Sequence, residues 1–313
     1  MSAKALRDAF GEALVRLGES HPELVVLDAD LSKSTKSEMF AKKYPERFFE
    51  MGIAEANMIG AAAGLALCGK VPFACSFACF ITGRFDQLRL SVAYTQANVR
   101  IVGSHAGVAI GEDGYSQQGL EDLAVMRVLP GMAVLSPGDD LETDAAVEYL
   151  MRHRGPAYLR TTRQKVERVN AAGYRFEFGR IVELKPAGKD AVIFATGGEV
   201  FLALQAAQAL NAQGLSVGVA NVHTLKPLDV PTVVRLARGA SLVVTAEDHQ
   251  IIGGLGSAVA EALAEAGVGK PLLRIGIRDT FGESGAPEAL LEKFGLDANG
   301  IARQVREKLR DTR

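Results

Sequence analysis

The chain has 313 residues, 48% hydrophobic and 23% charged, which is enough apolar material for a large core and excludes a disordered or collagen-like polymer. Thirty-five basic residues against 37 acidic ones leave a formal charge of −2, no electrostatic footprint for nucleic acid or an anionic membrane, so a small-molecule partner is expected. The start lacks a basic region followed by an apolar one, and no run of about 18 uncharged apolar residues occurs, so a soluble, cytoplasmic protein is expected. Cys68, Cys75 and Cys79 match neither zinc-knuckle nor CxxC spacing and read as reduced core residues.

At roughly 150 residues per domain the length suggests two domains, and the pattern along the chain agrees. Residues 3–19 carry Leu6, Phe10, Ala13, Leu14 and Leu17 at helical spacing. After Pro22 the run 24–27 is continuously apolar, as in a parallel strand buried on both faces. The alternation continues with strand 47–50, helix 54–67, strand 71–77, helix 83–94 and strand 99–104. A long polar loop follows, then helix 120–128, strand 133–135, helix 139–152 and strand 157–160. Residues 162–178 lose the rhythm and are rich in charge, which predicts a first domain over 1–165, a linker over 166–178 and a second domain over 179–313. Strands at 191–195, 216–222, 241–246 and 272–275 then alternate with helices at 199–213, after Pro227, and at 255–266. Helices at 287–294 and 297–309 end the chain, with Asp297 as the N-cap of the last. The fold class expected is two consecutive α/β domains with mainly parallel sheets.

Several short segments carry chemistry. Gly103-Ser104-His105-Ala106-Gly107 and Gly111-Glu112-Asp113-Gly114-Tyr115-Ser116-Gln117-Gln118-Gly119 follow a predicted strand, where open parallel sheets bind ligands. Glu55 opens a helix of small and apolar neighbours whose packing would bury and desolvate its carboxyl. Phe77 and Phe80 close an apolar strand and by themselves read as core. Gly253-Gly254-Leu255-Gly256-Ser257 lacks GxGxxG spacing and reads as a tight strand-to-helix turn. No GxxxxGK[ST], HExxH or GxSxG motif occurs, which argues against a simple NTPase, zincin or α/β-hydrolase.

Taken in order, Asp28-Ala29-Asp30-Leu31-Ser32-Lys33-Ser34-Thr35, Met51-Gly52-Ile53-Ala54-Glu55-Ala56-Asn57-Met58, Ser76-Phe77-Ala78-Cys79-Phe80, Ser104-His105 and Gly111-Glu112-Asp113-Gly114 resemble transketolase. The likeness spans nearly the whole chain and covers the pyrimidine-binding and C-terminal domains. The GDG motif of that family's first half is absent, so the chain resembles the C-terminal subunit of a split transketolase. The resemblance implies thiamine diphosphate, with Mg²⁺ and diphosphate ligands on an N-terminal partner subunit, in an α₂β₂ assembly. It assigns Glu55 to the cofactor's pyrimidine ring, Phe80, with Phe77 beside it, to stacking on that ring, and Asp30 to a place near cofactor and substrate. It assigns His105 and Asp113 to the sugar hydroxyls. Arg7, Ser34 and Arg163 match residues that hold the sugar phosphate, with Arg160 one strand step away. Where the family has Thr-His-Gln this chain has Ser116-Gln117-Gln118, so Gln117 replaces a histidine, and Tyr115 replaces a proline. An amide hydrogen-bonds but cannot become a cation.

The activity implied is transfer of a two-carbon ketol unit from a ketose phosphate to an aldose phosphate, with Glu55, His105, Asp113 and Gln117 as the catalytic set. Two alternatives share this plan: the β subunit of a 2-oxoacid dehydrogenase E1 component, and a non-catalytic regulatory subunit that keeps only the fold.

Overall fold

The computed structural model describes residues 3–311. Seven strands form the first sheet, in the spatial order Thr224–Lys226, Ala133–Leu135, Ala157–Arg160, Arg100–Ser104, Val71–Phe77, Leu24–Asp28 and Phe48–Glu50. All neighbours are parallel except the first pair. The second sheet has five strands, ordered Leu272–Ile277, Leu242–Gln250, Ala191–Ala195, Val217–Asn221 and Val182–Lys185, with only the last antiparallel. The molecule is therefore two α/β domains with mostly parallel sheets.

Side-chain alternation along each strand decides the layers. In Leu24–Asp28, Leu24 and Val26 join a core with Phe10 and Leu14 of helix Leu6–Leu17 and Val147 and Leu150 of helix Asp140–Arg152. Val25 and Leu27 turn the other way, into a core with Met58, Ile59 and Ala62 of helix Glu55–Leu67. That second core continues through Val192, Phe194, Val243 and Val259, so the two domains share one apolar cluster.

The first helix starts at Leu6 and not at residue 3, because Lys4–Ala5 is drawn into an antiparallel pair with Lys165–Val166. The single helix expected over 83–94 is a short turn, Phe85–Gln87, running into a π-helical stretch, Leu88–Tyr94. Short helices Ser32–Thr35 and Glu38–Lys43 and the edge strand Thr224–Lys226 carry too few periodic residues to be read from sequence. Cys75 is buried, but Cys68 is exposed at the end of its helix and Cys79 is partly covered, so the reading of three core cysteines holds for one. Asp297 caps the last helix, Ala298–Asp311, by accepting from the Gly300 amide at 3.0 Å.

The charged segment 162–178 is strapped down. Val169 and Asn170 amides donate to Asp139 Oδ2 at 3.0 and 2.8 Å, Tyr174 donates to Glu142 at 2.7 Å, and Phe178 stacks on Tyr149 at 4.7 Å.

Candidate active site

The parallel strands of the first sheet all present their carboxyl ends on one side, and the register sets what stands there. Asp28 is level with Cys75, Phe77 with Ser104, and Gly103 with Arg160. His105 follows at once in a left-handed conformation, φ +57°, which an ordinary residue adopts at a cost and which turns the chain sharply off the sheet.

His105 is buried and tied on three sides. Arg7 Nη1 lies 3.0 Å from its Nε2, Ser104 Oγ lies 2.8 Å from its Nδ1, and its ring stacks on Phe77 with centroids 3.9 Å apart and planes at 20°. A guanidinium only donates, so Nε2 is the acceptor and the ring proton sits on Nδ1, donating to Ser104. Burial, then Arg7, Arg163 and Lys36, lower its pKa to about 3. His105 is thus a neutral hydrogen-bonding ring surrounded by cations.

Those cations come from three parts of the chain. Arg7, at the start of the first helix, donates to the Ser34 carbonyl at 3.0 Å, while its buried Nε has no hydrogen-bond partner among the described residues. Arg163 donates to the Ile110 carbonyl at 3.1 Å and to Asp113 at 3.2 Å. Lys36, in a left-handed conformation and 3.7 Å from Asp8, is the third, and nothing in the sequence pattern marks it. The turn that presents Ser34 and Lys36 is held by Asp28, whose carboxyl accepts from the Leu31 amide, Thr35 and Ser37 at 2.7, 2.7 and 2.8 Å. Burial nevertheless pushes the Asp28 pKa up to about 6. Asp30 is exposed, with φ +63°, and its amide donates to Glu50 at 2.7 Å, beside the Gly52 amide at 3.2 Å.

Glu55 is 4% exposed at the first position of its helix, where the helix dipole favours a carboxylate. Its charged neighbour, unforeseen from the sequence, is Arg84 at 3.7 Å. Phe77 and Phe80 lie nearly parallel, at 8° and 5.6 Å between centroids; Phe77 is buried and Phe80 only half so. In the loop beyond, Asp113 is exposed, Gln117 is partly covered and bonded to Ser116, and Tyr115 points to solvent. The structure thus joins Arg7, Ser34 and His105 by direct contacts, and Arg163 and Asp113 by another, with the charge of Arg163 felt at His105 and Phe77 and Phe80 alongside.

Arg160 does not join them. Its Nε donates to Asp122 at 2.8 Å and its Nη2 to the Asp248 carbonyl at 2.8 Å, and it is 2% exposed. Asp122, wholly buried, also accepts from Tyr158 at 2.7 Å. Arg160 is the last residue of its strand and is a buried structural cation that ties Asp122 of the first domain to Asp248 of the second. The glycine turn 253–256 behaves as expected, since Glu247 fills its helix start, accepting from the Leu255 and Gly256 amides at 2.6 and 2.7 Å.

Comparison with known proteins accords with this geometry. Residues 2–168 match the transketolase pyrimidine-binding domain and residues 179–301 the transketolase C-terminal domain. The chain is 46% identical over 310 residues to a Methanocaldococcus jannaschii protein named as a transketolase C-terminal section, covering 98% of this chain and 97% of that one. It is 43% identical over 303 residues to a 6-deoxy-6-sulfo-D-fructose transketolase subunit of Clostridium sp. strain MSTE9, covering 96% and 94%. A solved split gene transketolase, an inactive β4 tetramer, superposes with a TM-score of 0.89 at 47% identity over 100% of both chains. The chain belongs to the transketolase family, as a C-terminal section that carries the pyrimidine-binding and C-terminal domains.

Proposed function

We propose that this chain, joined to an N-terminal subunit that brings the diphosphate and Mg²⁺ ligands, transfers a two-carbon ketol unit from a ketose phosphate to an aldose phosphate. Membership of the family implies thiamine diphosphate and an N-terminal section as partner. The residues present fit the cofactor: Glu55 is a buried carboxyl and Phe80 a half-covered aromatic face. Glu55 would hold the pyrimidine ring and Phe80 would lie against it. When bound, thiamine diphosphate supplies the carbon nucleophile needed to cleave a bond beside a ketone carbonyl.

The observation that carries the substrate class is the neutral His105 between Arg7, Lys36 and Arg163. Arg163 and Lys36 already have Asp113 and Asp8 nearby, whereas Arg7 hydrogen-bonds, among the described residues, only to a carbonyl and this neutral ring, and its guanidinium fork suits phosphate oxygens. Anchoring that remote anion would hold the carbonyl end for reaction, with His105 and Asp113 at the hydroxyls and Gln117 offering an amide. The need for a partner is supported by exposed apolar side chains on and beside two adjacent helices, Ile53, Leu67, Leu90 and Tyr94. An α₂β₂ assembly belongs to this proposal.

A sulfosugar is a second reading, favoured by the Clostridium relative's name and by the neutral Gln117 that stands where the family has a histidine. A sulfonate carries one charge where a phosphate carries up to two, so it needs fewer cationic partners.

The test is ketol transfer by the assembled pair with thiamine diphosphate and Mg²⁺, offering fructose 6-phosphate and 6-deoxy-6-sulfofructose as donors. Transfer that disappears in a folded Glu55→Ala complex is expected. Full activity in that variant refutes the site, and release of CO₂ from a 2-oxoacid without sugar transfer moves the chain to the dehydrogenase E1 class.

A further inference from the structure

The second domain holds the loop that follows His105 at more than one place: Ser284 donates to the Glu112 carbonyl at 2.6 Å, Gln118 donates to the Glu283 carbonyl at 2.9 Å, and Asp248 reaches the turn between His105 and Asp113. Strand Leu242–Gln250 slips register with Leu272–Ile277 between Ala246 and Gln250, which takes Glu247, Asp248 and His249 out of that pairing. The buried Asp248 carboxylate then accepts from the Val108 amide at 2.8 Å and the Ala109 amide at 3.2 Å. Those amides open the short turn Val108–Ile110, which lies between His105 and Asp113. A carboxylate on the first amides of a turn satisfies donors the turn itself cannot, as an N-cap does.

The approach is built into the backbone. Gly107 has φ +90°, and a Cβ there would sit 2.0 Å from Asp248 Oδ2. Arg160 holds the strand end by donating to the Asp248 carbonyl while it pairs with Asp122. At the far end of the turn, the Ile110 carbonyl receives Arg163, which also holds Asp113. The turn between His105 and Asp113 is thus held at its start by the second domain, through Asp248, and at its end by Arg163.

We propose that Asp248 is a positioning residue through which the C-terminal domain sets the backbone between His105 and Asp113, and so the placement of His105 toward the substrate. The role toward substrate rests on the transketolase reading; the positioning of the loop does not.

The test uses Asp248→Asn in the full chain, where the new amide must turn an N–H toward one of the two amide donors. Exchange at the Val108 and Ala109 amides should quicken about tenfold or more, whether or not any substrate is known. In the assembled enzyme, kcat/KM should fall about tenfold while thiamine diphosphate affinity stays unchanged, and in a His105→Ala background the further loss should shrink to about twofold or less. Unchanged exchange at both amides overturns the proposal, and so does a full multiplicative loss in the His105→Ala background, which would mark a merely structural role. If the amides respond but the wild-type pair transfers no ketol unit, the positioning stands and the transketolase reading falls. Gly107→Ala, whose methyl group displaces the same carboxylate, is the second variant should Asp248→Asn fail to fold, with the same results expected.

Discussion

Replacing Arg160 with Met tests whether this arginine serves the structure or a sugar phosphate. The guanidinium is 2% exposed, bonded to the wholly buried Asp122 at 2.8 and 3.3 Å, to the Asp248 carbonyl at 2.8 Å and to the Gly119 carbonyl at 3.4 Å. Arg160→Met removes all four contacts and leaves Asp122 with Tyr158 and, at 3.9 Å, His249. Breaking one side of a buried ion pair costs about 3–5 kcal/mol, most of it from the stranded charge. Adding Asp122→Asn removes that charge and should recover about 1 kcal/mol or more, a non-additivity that only a coupled pair produces. The penalty should also depend on pH. Against the opposing effect of its burial, Arg160 is the largest influence holding the Asp122 pKa below its ordinary value. The stability this brings is therefore present above the unfolded pKa of about 3.9 and lost as pH falls through the folded one. Without Arg160 the carboxyl can protonate at milder acidity, so the gap between variant and wild type narrows as the solution is acidified. Urea unfolding across a pH series measures both effects. An unchanged midpoint, together with a KM raised only for phosphorylated donors, would refute the structural assignment and return Arg160 to the phosphate site.

Two further predictions follow from the cations around His105. Lys36→Met should raise KM for a ketose phosphate several-fold and leave an unphosphorylated hydroxy-ketone donor unaffected, because it deletes one charge facing the anion and no group at the carbonyl; equal effects on both donors would show that Lys36 does not read the anion. His105, with its pKa lowered to about 3, should stay neutral with its proton on Nδ1 in long-range ¹⁵N–¹H spectra, and a titration near the ordinary value of about 6.5 would contradict its burial among cations. Because the unfolded chain takes up a proton at this histidine below about 6.5 and the folded chain does not, His105 makes stability fall as pH falls, by up to about 1.4 kcal/mol per unit until the folded pKa is reached.

Local pattern was enough for the architecture. Continuous apolar runs such as 71–77, 133–135 and 191–195 alternate with helical periods, and a chain so patterned buries its strands between helices in parallel sheets. It anticipated also the burial of Glu55 at a helix start with small and apolar neighbours, though not the Arg84 guanidinium that lies 3.7 Å from it. The resemblance pointed to Arg7, Ser34, His105 and Arg163, but the contacts each makes come from partners far away in the chain. The pKa of His105 is lowered by its burial and then by Arg7, 98 residues earlier, which donates to it. Arg160 and Arg163 are three residues apart, yet the first ends a strand and turns to Asp122 at the domain interface, while the second lies in the bend beyond it and meets Asp113. Asp248 lies 140 residues beyond the turn it caps, on a strand whose register slips only where the two domains meet. A periodic signal extends over a few turns of chain, whereas the protonation of a ring and the use of a guanidinium depend on which charges share its cavity. Register and packing between sheets make that choice, and they exist only in the folded molecule.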